Sequence, residues 1–322
     1  MFQYFFCNKR GKGKIATESG NVIPEKKTMK NILTFDIEEW FHANYCGSPE
    51  ANQCKDSNFR ENMEKLLTLC KKNQCKATFF VLGCIGENYP DIVRKIAEEG
   101  HDVASHGYGH ELAYKQSIQE FEEDVKKSLG ILEDITGKKV LGYRAPSWSI
   151  VESNLHYLEV LEKLGIRYDA SIFPVKTFLY GIPDAKKHIH RPVVKGRELN
   201  LYEVPTSVFN FLGRGVGYSG GFYFRFFPKF FIKRQIRKSN GNSAPSILYL
   251  HPREIDANEK RLVLPPKERF IHYYNIQTTF DKLNNITSEY EFTSIRDYLK
   301  EGHAVDFSDG EWYNRGMTDV SY

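Results

Sequence analysis

Seven polar residues stand at or just past the ends of short, β-rich apolar runs. Asp36 and Glu38 lie in I-L-T-F-D-I-E-E-W, His106 and His110 in D-V-A-S-H-G-Y-G-H, and Arg144 in V-L-G-Y-R. Asp169 lies in I-R-Y-D-A-S and His251 in I-L-Y-L-H. In a parallel αβ barrel the C-terminal strand ends converge on one face, where active sites are built. Two imidazoles and a carboxylate suit a metal ion, a second carboxylate and imidazole suit proton transfer, and an arginine supplies a counter-charge. That is the inventory of a metal-dependent hydrolase.

The spacing of His106 and His110 puts two imidazoles on one side of a turn. Gly107 and Gly109 argue against a regular helix there, and two surface histidines in a loop is the competing reading. The carboxylate for such a pair could come from Asp36, Glu38 or Glu39. Strand alternation puts Asp36 and Glu38 on one face and Glu39 on the other, so Glu38 fits as ligand with Asp36 beside it. Arg144, stiffened by Pro146, would orient the Asp36 carboxylate. Asp169 and His251 are the remaining pair, a carboxylate fixing the tautomer of a general acid. Alone, His251 reads as a structural histidine.

Alternating strand and helix signals position these residues. Strands are predicted at I-L-T-F-D, A-T-F-F-V-L, H-D-V-A-S-H, K-V-L-G-Y, I-R-Y-D-A-S, L-Y-E-V-P, S-I-L-Y-L-H and Y-E-F-T-S. Helices are predicted at about 58–72, from Pro90, at 117–136 closed by Gly137, at 154–164, from Pro228, and at 266–284, with a short terminal one. Residues 173–197 read as loop and 213–221 as a glycine-rich loop. The repeated alternation implies right-handed parallel crossovers, about seven strands in one α/β barrel domain over residues 29–302. Residues 1–28 read as a disordered leader, with Met29 a plausible natural start, and 303–322 as a flexible tail.

Bulk properties narrow the function. The 322 residues are 41% hydrophobic and 27% charged, as in ordinary globular proteins, and the net charge of +4 is too mild to imply nucleic acid. No run approaches the ~18 apolar residues of a membrane-spanning helix. Cysteines 7, 46, 54, 70, 75 and 84 form no C-x-x-C pair, and free thiols in a cytoplasmic protein are expected, with a Cys46–Cys54 loop disulfide as the alternative. The segment Phe222–Lys238 interleaves aromatic and basic residues. It reads as an outer barrel helix starting at Pro228, with membrane-surface contact as the second reading.

The ordered series T-F-D, S-H-x-x-x-H, R-x-P, D-x-S and L-x-H resembles the polysaccharide deacetylases of carbohydrate esterase family four. F-D-I-E-E-W-F-H, S-G-G-F-Y-F-R-F-F-P and Y-L-H-P-R-E-I-D are similar to the branch linked to bacterial exopolysaccharide clusters. The resemblance spans about residues 30–299. It implies a distorted barrel of about seven strands around one divalent metal, zinc by preference, acting on an N-acetylated glycan. By position, Glu38, His106 and His110 would bind the metal, Asp36 would be the general base and Arg144 its positioner. Asp169 would tune His251, the general acid, and the Ser147 N–H would face the oxyanion. Ile37 stands where the commonest family pattern has its metal-binding Asp, so Glu38, with Glu39 as fallback, replaces it. Gly107 replaces a Ser or Thr, and Trp148 comes one position late. Hydrolysis of small or cyclic amides, or a non-catalytic barrel with Trp148, Phe222 and Tyr223 lining a groove, are the alternatives.

Overall fold

Strand β1, Asn31–Ile37, has all seven residues buried, as a strand must with helices over one face and the barrel interior on the other. In this computed structural model residues 29–42, 58–177, 180–259, 261 and 263–302 are described. The expected leader, the tail, Cys7, and the Cys46–Cys54 loop lie outside them. After β1 the order is α1 (Phe59–Lys72), β2 (Thr78–Val81), α2 (Gly83–Asn88), α3 (Pro90–Glu98), β3 (Asp102–Ser105), α4 (Ile118–Thr136), β4 (Gly142–Tyr143), α5 (Tyr157–Lys163) and β5 (Tyr168–Asp169). There follow β6 (Val193–Val194), β7 (Arg197–Glu198), β8 (Tyr202–Glu203), β9 (Val208–Phe211), β10 (Arg214–Gly217), α6 (Gly221–Phe226) and α7 (Lys229–Gly241). The last elements are β11 (Ile247–Leu250), α8 (Pro266–Tyr273), α9 (Thr279–Glu289), β12 (Phe292–Thr293) and α10 (Ile295–Gly302).

Seven parallel strands run in the order β11-β1-β2-β3-β4-β5-β8, and β12 also pairs with β1. Between β8 and β11 the wall is completed by irregular chain. Tyr249 N–H donates to the Ser219 carbonyl, the Ser219 hydroxyl to the Ser207 carbonyl, and Ile247 N–H to the Ser207 hydroxyl. The result is the distorted barrel expected from the strand–helix alternation. Register then sets the site: Phe35 pairs with Leu250, so the next residues of the two strands, Asp36 and His251, emerge side by side.

The helices follow their sequence signals. In α1, Phe59, Met63, Leu66, Leu67 and Cys70 are buried at helical spacing. In α4, Ser117 and Glu120 form a reciprocal capping box, and Gly137 closes the helix in the left-handed conformation. Three expectations are corrected. The glycine-rich stretch from 213 contains β10, paired antiparallel with β9 through a turn at Leu212 (φ 49°) and Gly213 (φ 80°). The helix expected at 266–284 is split, because Asn275 adopts φ 55° between α8 and α9. Helix α2 was not expected, being only six residues with two glycines. Among the described residues no helix is long and apolar enough to cross a membrane.

Candidate active site

Asp36 and Arg144 form a buried ion pair at the top of β1 and β4, with Nη1 2.6 Å from Oδ1. The guanidinium is fixed from several sides: Nη1 also donates to Thr34 Oγ1, Nε donates to the Ala170 carbonyl, and the plane lies 4.1 Å from the Phe80 ring centre. Its Nη2 is buried with no hydrogen-bond partner. Asp36 Oδ1 is thus held, while Oδ2 faces His251 Nε2 at 3.8 Å.

Glu38, His106 and His110 bring one ligand atom each within 4.8 Å of one another. Glu38 follows directly on β1, and its backbone N–H turns back to the Asp36 carbonyl. His106 Nδ1 lies 2.7 Å from the Arg144 carbonyl, which can only accept, so Nδ1 carries the proton and Nε2 keeps a lone pair for a cation. Burial pushes His106 down to about 4, leaving it neutral, as a ligand must be. Glu38 Oε2 lies 2.6 Å from His110 Nε2, yet is buried without a hydrogen-bond partner. This close approach puts a carboxylate oxygen and an imidazole nitrogen together in the cluster, where a cation could take both as ligands. Burial would raise the Glu38 carboxyl, but His110, His251 and His106 outweigh it and hold it well below its usual value. The residues therefore fit a divalent ion with positions left open. Glu39, the fallback ligand, accepts from the Tyr89 hydroxyl instead.

The turn carrying the histidines is irregular, as the glycines require. Gly107 has φ +77° and His110 φ 62°, and a Cβ on Gly107 would stand 2.8 Å from Asp124 Oδ2. That same Asp124 oxygen accepts from the Tyr108 N–H, so a carboxylate from α4 braces the turn. His42, also unforeseen, sits beside the cluster with its ring 6.1 Å from that of His110.

His251 is oriented by Glu254, not by Asp169. Glu254 Oε2 accepts from both the His251 backbone N–H and ring Nδ1, and Oε1 accepts from Arg225 Nε at 2.8 Å. Arg225 is buried and further donates to the carbonyls of Ile271, His272 and Tyr274. Burial pulls the His251 pKa down, but the charges of Glu38, Glu254 and Asp36 prevail and raise it above its ordinary value. Its Nε2 points at Glu38 Oε1 (3.5 Å) and Asp36. Asp169, expected at this imidazole, instead accepts from the Ser171 hydroxyl and N–H, and its neighbour is Glu203. The local spacing explains both outcomes. A D-x-S acid bonds its own loop, and an acid three residues past His251, with Pro252 between, is the signature of a capping turn that could have revealed Glu254. Arg225 lies within the motif S-G-G-F-Y-F-R-F-F-P, but nothing in its spacing tied it to His251.

Ser147 lies in the turn Pro146–Trp148 with φ 50°, and Trp148 follows with φ 49°. Two successive left-handed residues are a strained turn of the kind that functional sites retain. Trp148 packs on Phe173, Tyr180 and Tyr249. Phe222 does not join this wall, since its ring contacts Phe226, Phe270 and Tyr274.

Residues 27–168 match a family model described as "Polysaccharide deacetylase", and residues 170–300 match a "Domain of unknown function (DUF3473)". Asp36, Glu38, His106, His110 and Arg144 fall in the first stretch, and Arg225, His251 and Glu254 in the second. The chain is 31% identical over 154 residues to a peptidoglycan deacetylase of Helicobacter pylori, covering 44% of this chain and 52% of that one. It is 36% identical over 93 residues to a peptidoglycan-N-acetylglucosamine deacetylase of Bacillus cereus, covering 29% and 34%. The matched stretch thus spans about half of these relatives or less. A crystal structure from Mycobacterium smegmatis described as a polysaccharide deacetylase superposes with a TM-score of 0.56 at 17% identity, covering 88% of this chain and 96% of that one; it shares the fold.

Proposed function

We propose, from the match of residues 27–168 to the polysaccharide deacetylase family model, that the chain is a metal-dependent hydrolase that removes N-acetyl groups from hexosamine units of a bacterial polysaccharide or its precursor. The observation that carries this reading is the placement of Asp36 Oδ2 and His251 Nε2 3.8 Å apart beside the Glu38, His106 and His110 donors. A base and an acid so close can serve the two ends of one amide bond.

Glu38, His106 and His110 would hold the ion, and their donor set suits zinc. Bound there, it supplies electrophilic polarisation of the amide carbonyl and makes water acidic enough to attack near neutrality. Asp36, with Oδ1 tied to Arg144, takes the proton of the attacking water on Oδ2. His251, whose Nδ1 is held by Glu254, delivers the Nε2 proton to the departing nitrogen. The backbone N–H of Ser147 stabilises the oxyanion as the carbonyl becomes tetrahedral. Acetate and a free amine result. Asp169 acts at one remove in this reading, beneath Arg144.

Free thiols at Cys70, Cys75 and Cys84 support the further reading that the protein works in the reducing cytoplasm. Metal analysis paired with acetate release from N-acetylglucosamine oligosaccharides tests the proposal. About one ion per chain and equal yields of acetate and amine are expected. Protein that takes up no divalent metal, or that releases ammonia from small amides but no acetate from glycans, would overturn it.

A further inference from the structure

Between Val204 and Arg253 the chain has eight Lys and Arg and no Asp or Glu, whereas the rest carries 37 cations against 41 acids. Arg225 is consumed inside by Glu254, and Lys233 pairs with Glu289. Five others, Arg214, Lys229, Arg234, Arg237 and Lys238, are exposed. They lie on β10 and α7, so the positive charge is spread over one side of the barrel.

The same side exposes aromatic rings. Phe226 is 47% exposed, Phe230 71% and Phe270 51%. Phe226 and Phe270 belong to a continuous band of rings, and Phe230 stands exposed on α7 just beyond it. Phe270 contacts Phe222, Phe222 contacts Phe226, and Phe226 contacts Phe227, with centroids 5.3–5.8 Å apart. Phe227 stacks on Phe231, and Phe209 links that pair to Phe211 at the tip of the β9–β10 hairpin, where Leu212 is 88% exposed. Helices α6 and α7 already bury Phe224, Ile232 and Ile236 inward, so the outer rings are not needed to close the core. A contiguous apolar band of this kind marks an interaction surface.

We propose that the face formed by α6, the start of α7 and the β9–β10 hairpin docks peripherally on an anionic phospholipid surface. Cations draw the face to the headgroups, and partly inserted Phe and Leu side chains hold it at the acyl boundary. Charge alone would suit any polyanion; exposed rings interleaved with the cations add the requirement for an apolar layer. The band also borders the site, since Gly221 at the start of α6 abuts Tyr249, two residues before His251. Docking would set the mouth of the barrel beside the membrane, whatever the substrate.

Co-sedimentation with phosphatidylcholine vesicles and with vesicles containing phosphatidylglycerol tests this. Binding at least about tenfold stronger to the anionic vesicles, weakened by salt, is expected. The pairs Phe230→Ser/Phe270→Ser and Lys229→Glu/Arg234→Glu should each lower it about tenfold or more, with the rate on a soluble oligosaccharide unchanged. Should the aromatic pair fail to fold, Phe230→Ser alone, on the most exposed of the three rings, serves in its place. Equal binding to both vesicle types, no binding by the intact protein, or aromatic variants that bind as wild type would each overturn the proposal, the last leaving a surface for a soluble polyanion.

Discussion

Glu254 grips His251 twice, taking its backbone N–H at 3.1 Å and its ring Nδ1 at 2.9 Å on one carboxylate oxygen. The imidazole is thereby fixed as an Nδ1 donor with Nε2 turned toward Asp36. Glu254→Gln keeps an acceptor for Arg225 but removes the charge that holds the imidazole. It should lower kcat for acetate release by roughly tenfold or more, with KM little changed. Asp169→Asn should cost less. If Asp169→Asn proves the more damaging, the assignment of Glu254 is wrong.

Asp36→Asn and His251→Ala should each reduce kcat by roughly 10²-fold or more, the scale of losing a positioned base or acid. Thermal unfolding near the wild-type temperature would show that the loss is chemical. Near-wild-type turnover by either variant would reject its role.

Glu38→Ala and His106→Ala should empty the metal site, whereas Glu39→Ala, whose parent carboxylate bonds Tyr89, should retain the ion. Metal content after dialysis reads the difference directly. A Glu39 variant that loses the metal while the Glu38 variant keeps it would reverse the ligand assignment.

Glu203 and Asp169 are buried carboxyls in contact, and burial together with Asp169 holds Glu203 well above its ordinary value of 4.5. The folded protein keeps a proton there that the unfolded chain releases, so this contribution is full at low pH and declines as pH rises above 4.5. Glu203→Gln keeps an oxygen to accept from the Ile172 N–H, offers an N–H toward Asp169 and has no proton to lose. Its melting temperature relative to wild type should climb between about pH 5 and pH 8. A constant difference across that range would mean that Glu203 carries no such proton.

His101 tests the opposite sign. Its Nδ1 accepts from the Ala77 N–H, which only a neutral ring can do, and burial lowers its pKa from 6.5 to about 4. The unfolded chain binds a proton there first, so stability is lost as pH falls from 6.5 toward about 4, by up to about 3 kcal/mol. Urea unfolding of His101→Gln should fall less steeply over that window than wild type.

Much of this was legible in the sequence because it is local. Strand ends announce themselves by apolar runs followed by a polar residue, which found Asp36, Arg144 and His251 without any contact information. The His106/His110 turn was legible from its glycines. Arg225 was not, since it is satisfied by carbonyls some 46 to 49 residues away, and no spacing encodes such a contact. Asp169 was misassigned for a related reason: position at a strand end says which face a side chain reaches, not which neighbour claims it. Asn275 split a helix that periodicity alone extends, because one residue's backbone angle outweighs the pattern around it.

Strand β1 sits between β2 and β11, so the two stretches that meet at Asp169 are not separable modules. During synthesis Asp36, Glu38, His106, His110 and Arg144 emerge well before His251. His251 and its support arrive only when β11 slides against β1, a pairing more than 200 residues apart in the chain. A nascent or truncated chain that stops short of β11 would leave one side of β1 open, exposing a sticky edge. Such a chain would carry the Glu38, His106 and His110 donors but lack His251 beside Asp36, so under the proposed function hydrolytic competence and the final closure of the sheet would coincide.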